Sequence, residues 1–196
     1  MQVLSIDIMY LEKIPNLIGV VHPLDLTLVT DILTISKDGS SKSAATVCKG
    51  IKYFRGVLAS TGFESPVIMS NGEGSIGTLI DELRLLGIEI DISGAGGHFS
   101  RIERRIQVVK ERVRAHMCHH LPFTLTNLGI TMCAMYCVSR LNYQPSGARV
   151  GGESPRALFL GRTADGNQTS GVRLAITYSV PYRIRLTQWK RELKTV

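Results

Sequence analysis

Val3-Leu4-Ser5-Ile6-Asp7-Ile8-Met9 is an apolar strand with a carboxylate at its centre. A charge in such a setting costs free energy unless it is paired or ligated, so Asp7 reads as a functional residue rather than a structural one. Working outward, the apolar segment from 2 to 10 breaks at Lys13-Ile14-Pro15-Asn16, where a turn is expected, and a second apolar run, Leu17-Ile18-Gly19-Val20-Val21, follows. This is the pattern of a hairpin. Thr27-Leu28-Val29-Thr30-Asp31-Ile32-Leu33 is a third strand, rich in β-branched residues, and a polar loop opens around Lys37-Asp38-Gly39-Ser40. Three antiparallel strands therefore come first.

Between Ser43 and Ser60, Val47, Ile51, Phe54 and Leu58 fall at helical spacing, which predicts an amphipathic helix lying on the sheet. Pro66 to Met69 returns as a fourth strand, Ile76 to Leu86 reads as a second helix stopped by Gly87, and Ile88-Glu89-Ile90-Asp91-Ile92 alternates as a fifth strand. The order β-β-β-α-β-α-β predicts an α/β fold: a five-stranded mixed sheet, its first three strands antiparallel, flanked by helices. A last apolar helix, roughly Phe123 to Leu141, is expected to be buried, and from Gln144 the composition shifts to Gly, Ser, Pro and Arg. The expected organisation is a core domain over 1–145 and a partly irregular segment over 146–196.

The chain has 196 residues, 44% hydrophobic and 20% charged, which places it in the globular class. It contains no apolar run of membrane-spanning length and starts on a strand pattern rather than a leader, so no membrane association and an intracellular address are expected. Cys48, Cys118, Cys133 and Cys137 form no CxxC pair, so buried free thiols are expected. The tract His116-Met117-Cys118-His119-His120 reads as a helix end before Leu121-Pro122, because consecutive helical residues point around the whole cylinder and not at one ion.

The charge is less evenly spread. The net charge is +7, and between Arg101 and Arg114 six basic residues face two acidic ones. This segment belongs to the run Gly96-Gly97-His98-Phe99-Ser100-Arg101-Ile102-Glu103-Arg104-Arg105-Ile106-Gln107-Val108-Val109-Lys110-Glu111-Arg112, a glycine-led turn entering a basic helix. Ile102, Ile106, Val109 and Val113 make one apolar stripe and leave Glu103, Gln107, Lys110 and Arg114 together on an adjacent face. A Glu near a helix start is also favoured by the helix dipole, so Glu103 alone has an ordinary explanation. The junction Val67-Ile68-Met69-Ser70-Asn71-Gly72-Glu73-Gly74 matters because an Asp at position 71 would complete a three-carboxylate metal site with Asp7 and Glu103.

These motifs, in this order, resemble the integrase catalytic cores of retroviruses and long-terminal-repeat retrotransposons, which have a ribonuclease H-like fold; the nearest flavour is the Copia-type retrotransposon polyprotein. Ser5-Ile6-Asp7-Ile8-Met9 resembles the first-aspartate strand, Ser70-Asn71-Gly72-Glu73-Gly74 the second-aspartate loop, and His98-Phe99-Ser100-Arg101-Ile102-Glu103-Arg104-Arg105-Ile106 the glutamate helix. The likeness covers roughly 2–145 and continues weakly through 154–162. It implies DNA integration by metal-dependent phosphodiester cleavage and strand transfer, with Mg²⁺ or Mn²⁺ held by Asp7 and Glu103 and clamping the attacking and leaving oxygens. It further implies DNA contacts at Gln107, Lys110 and Arg114, with His98 orienting a phosphate or capping the loop, no small-molecule cofactor, and a nuclear site of action.

Asn71 departs from the family pattern. An amide offers one neutral carbonyl oxygen where an anionic ligand belongs, so metal binding is expected to be weakened and this copy impaired. The alternative reading is a catalytically silent ribonuclease H-like remnant that binds nucleic acid or associates with itself. Family cores dimerise through helices flanking the sheet, so the apolar helix around Met132 to Val138 is open to two roles, core or homodimer interface. Trp189 among Lys190, Arg191 and Lys194 is a weaker nucleic-acid signal. With no zinc-binding HHCC module in the sequence, the chain is expected to be a polyprotein fragment.

Overall fold

Strand β1 (Val3–Leu11) is the centre of the sheet, and its burial pattern shows why its sequence is almost unbroken apolar residues. In this computed structural model, which describes residues 2–32, 44–64, 67–70, 79–85, 87–91, 99–119, 125–145 and 152–161, both faces of β1 are covered. Strands buried on two faces need no polar alternation. β2 (Ile14–His22) pairs with β1 antiparallel, and β3 (Leu26–Asp31) pairs with β2 antiparallel. β4 (Val67–Ser70) and β5 (Glu89–Asp91) add parallel strands on the other side, giving the order β3-β2-β1-β4-β5.

The first turn differs from the expected one. Glu12 and Lys13 alone form it, with φ of 47° and 67°, and Ile14 already belongs to β2. Two left-handed residues match the right-handed twist of the flanking strands, which is why two-residue loops of this kind close hairpins. Pro15 looks like a breaker in the sequence, yet it sits inside the strand. Leu11 pairs with Ile14 next to the turn, so Tyr10 opposite Pro15 falls at a position without ladder bonds. β3 pairs no further than Asn16, so the missing N–H of Pro15 costs nothing on that side either.

One face of the sheet is covered by α1 (Ala44–Ala59), whose Val47, Cys48, Ile51, Phe54 and Leu58 pack on Leu4, Ile6 and Ile8 of β1. Gly19 of β2 permits this close approach, since a Cβ there would lie 3.0 Å from both the Phe54 ring and a Leu4 methyl. The short α2 (Ile80–Leu85) supplies Leu83 to the same layer; its described extent is narrower than the expected helix, whose first residues lie outside the described set. Glu82 of α2 ties the layer together at its rim, accepting from the Cys48 thiol and from Lys52 Nζ, both at 3.1 Å. Burial, first, and the Glu82 contact push the Cys48 thiol up, while the hydrogen bonds to Cys48 and Lys52 pull the Glu82 carboxyl down.

The other face carries α3 (Phe99–His119) and α4 (Asn127–Asn142), whose Ile102, Val109, Val113, Ile130, Ala134, Cys137, Val138 and Leu141 bury Met9, Leu11, Ile18, Val20 and Val29. α4 begins later than its apolar pattern does, at Thr126, whose hydroxyl accepts the Gly129 N–H at 3.2 Å and caps the helix. Its other end does unusual work for an asparagine. Asn142 accepts the Thr27 N–H at 2.9 Å and donates to the Thr27 carbonyl at 2.7 Å, occupying the edge of β3 as a neighbouring strand would. α5 (Pro155–Leu160), capped by the Ser154 hydroxyl, joins the α1 layer through Leu158 and Phe159, the latter stacked on Phe63 at 5.7 Å. Cys48, Cys133 and Cys137 are free thiols, and no helix of the described residues is long and apolar enough to cross a membrane.

Candidate functional site

Side chains alternate across a strand, so the partition of β1 places Asp7. Leu4, Ile6 and Ile8 join the α1 layer, whereas Met9 and Leu11 join the α3–α4 layer, and Asp7 shares their parity. Its register partner Ile18 lies in that layer too. Asp7 is 7% exposed, and its Oδ1 accepts the Ile8 N–H at 2.7 Å. Two residues earlier on the same face, the buried Ser5 hydroxyl has no hydrogen-bond partner among the described residues. A carboxylate and a hydroxyl thus interrupt an otherwise apolar face directly beneath α3.

The basic helix has two flanks with different duties. On one side of its buried stripe, the Arg105 guanidinium meets the Asp25 carboxylate at 2.7 Å, Arg101 lies 3.5 Å from the His22 ring, and Arg112 donates to Gln144 at 2.8 Å. These three arginines fasten α3 to the β2–β3 turn and to the end of α4. On the opposite side lie Glu103, Lys110 and Arg114, none with an ion-pair or hydrogen-bond partner among the described residues; Gln107 donates to Glu111 at 3.2 Å. Counting charge along the sequence lumps all six cations together. The spacing of Arg101, Arg105 and Arg112, on one helical side, was the available signal for the split.

These contacts also orient α3 along β1. Its first turns meet His22 and Asp25, level with Val3, which pairs with His22; its later turns meet Tyr10, Leu11 and Glu12, which line a shallow cleft with Lys110, Val113, Arg114 and Met117. Asp7 lies between the two levels, on the face that α3 covers. Glu103 falls in the second turn of a helix that starts at Phe99 and has no acidic residue in its first turn. Helix-dipole stabilisation fades within that first turn, so the ordinary explanation of Glu103 weakens.

Asn71, Glu73 and His98 lie outside the described residues, as do Trp189, Lys190, Arg191 and Lys194. β4 is described to Ser70, which is fully buried opposite Ile6, one residue before Asp7. Asp91 stands on β5, with β4 between it and β1, about 10 Å away at the usual strand spacing, which makes it a poor substitute for the carboxylate absent from position 71. His116 packs edge-on against the Tyr136 ring at 5.5 Å. No group of three His, Cys, Asp or Glu that could hold a metal is found among the described residues. The donor set therefore fits a pair of divalent cations only in part: Asp7 and Glu103 are hard oxygen ligands of the right kind, and position 71 brings an amide.

No protein-family model matches the chain, and no curated protein matches it in sequence. Among solved structures, the catalytic core domain of BIV integrase in crystal form I is similar, with a TM-score of 0.58 and 15% identity over 86% of this chain and 97% of that one. At such identity the likeness speaks for the fold, and it agrees with the sheet order, the strand directions and the helices on both faces. The chain has the ribonuclease H-like α/β fold of an integrase catalytic core.

Proposed function

We propose that this chain is an integrase-type catalytic core, of retrotransposon and Copia-like character, that engages DNA along the free flank of α3 and is impaired in strand transfer by Asn71. The observation that carries the reading is the placement of Asp7, a buried carboxylate on the central strand facing α3, together with Glu103 on the flank of α3 that is not tied to another element among the described residues. Divalent cations, when bound, would supply the clamp on the attacking and leaving oxygens of phosphodiester transfer. The chain offers two of the three anionic ligands, Asp7 and Glu103. What its residues can do is hold a strand: Lys110 and Arg114, on the same flank of α3 as Glu103, present positive charge without a partner among the described residues, in reach of a phosphate backbone.

The test is Mg²⁺- or Mn²⁺-dependent strand transfer on a branched DNA substrate, comparing the chain with Asn71→Asp and with Asn71→Asp combined with Glu103→Gln. Activity is expected in Asn71→Asp alone. Activity in none of the three, with salt-sensitive DNA binding retained, would instead favour a silent nucleic-acid-binding domain.

A further inference from the structure

Beside the turn of the first hairpin, the Tyr10–Glu12 segment and the later half of α3 form the two walls of one cleft. Lys110 and Arg114 line it from the helix, one turn apart, without a partner among the described residues. Glu12 lines it from the hairpin and makes no ion pair with either cation, although all three border the same cleft. Lys13, next in the turn, is exposed and also unpartnered among the described residues, and with both turn residues at positive φ the tip is a tight two-residue loop.

We propose that this cleft and the hairpin tip beside it form a second phosphate subsite, in which Lys13 of the tip and Arg114 of α3 grip the backbone of a nucleic-acid strand leaving the Asp7–Glu103 site; it rests on the functional reading above. Rise along the helix gives the reach. Glu103 and Arg114 are eleven residues apart in sequence, about 16 Å along the axis, which is about five nucleotide steps of one strand. The strand would run with α3, from its second turn toward the hairpin tip, and Lys110 would meet it about three steps out. Glu12 sets the sign of the test, because a carboxylate on the wall of a phosphate cleft repels what Lys13 and Arg114 attract.

The experiment is fluorescence-anisotropy titration of a labelled duplex of about 20 base pairs at several salt concentrations, with the full chain, Lys13→Gln, Arg114→Gln, Lys110→Gln, Glu12→Gln, and Lys49→Gln on α1 as a control from the opposite layer. Thermal melting confirms that each variant is folded. Lys13→Gln and Arg114→Gln are each expected to weaken binding about three- to tenfold and to reduce the slope of log affinity against log salt by about one contact's worth, roughly 0.9. Glu12→Gln should tighten binding, and Lys49→Gln should leave it unchanged. Salt-dependent binding that Lys110→Gln weakens but Lys13→Gln, Arg114→Gln and Glu12→Gln leave alone would overturn the subsite and spare the functional reading. Failure of the unaltered chain to bind would overturn both.

Discussion

Asp7 and Asp31 are both carboxylates in strands, and their surroundings give them different meanings. Asp7 is buried on the central strand facing a helix with a free acidic and basic flank, whereas Asp31 ends the edge strand β3 opposite Asn16, half-buried. Burial is the larger influence on Asp31 and pushes its carboxyl up, against a smaller opposing pull from its own backbone hydrogen bond. A raised carboxyl binds its proton more tightly in the folded chain than in the unfolded one. Its contribution to stability is therefore complete below the ordinary carboxylate range and is lost as pH rises through the folded value. Asp31→Asn should accordingly melt higher than the unaltered chain at pH 7, with the gap closing below about pH 4. A gap independent of pH would mean that the effect is one of packing. Asp7 was legible in the sequence because a lone charge in an apolar run is conspicuous. Asn142 was not, because its role depends on Thr27, 115 residues away, and a polar residue at the end of an apolar helix looks like an ordinary terminus.

Among the elements, α3 shows most plainly how a helix can be read correctly and still be misjudged. Its apolar stripe, length and basic character follow from the sequence, and so does the grouping of Glu103, Gln107, Lys110 and Arg114. What its sequence hides is that Arg101, Arg105 and Arg112 are committed to His22, Asp25 and Gln144, partners that no local pattern announces. The Arg105–Asp25 pair is partly shielded, with side chains 20% and 32% exposed, so it belongs between the weak surface bridge and the costly buried one. Arg105→Gln should then lower stability by on the order of 1 to 3 kcal/mol and have little direct effect on DNA affinity. Arg114→Gln should do the reverse, changing stability by no more than about 0.5 kcal/mol while weakening binding. Urea melts of the two variants, set beside their binding curves, check the division; equal effects of both on binding would mean that the two flanks act as one basic surface. The hairpin turn teaches a similar lesson. Pro15 reads as part of the break, yet a proline is harmless at a strand position whose missing N–H had no partner to begin with.

For the molecule as a whole, the question is where the folded core ends. Composition changes at Gln144, toward glycine, serine, proline and arginine, and that change is real in the sequence. Packing nevertheless continues through α5. Phe159 stacks on Phe63, Leu158 reaches the α1 layer, and the Arg156 guanidinium lies 4.7 Å from the centre of the Tyr143 ring. The helix is well made for so short an element, with a serine cap, proline at its start and Gly161 at φ 62° closing its end. Six residues seldom hold a helix in isolation, so α5 draws its order from what it covers, and what it covers should lose stability without it. A chain ending at Pro145 is therefore expected to be less stable than one ending at Asp165 by about 2 to 5 kcal/mol, because the apolar burial of Leu158 and the stacking of Phe159 on Phe63 go with α5. The shorter chain should also show faster amide exchange in α1 around Phe54 and Leu58, the layer that α5 helps to cover. Equal melting of the two chains would place the end of the core at the composition change, and would make α5 an ornament on a sheet that stands without it.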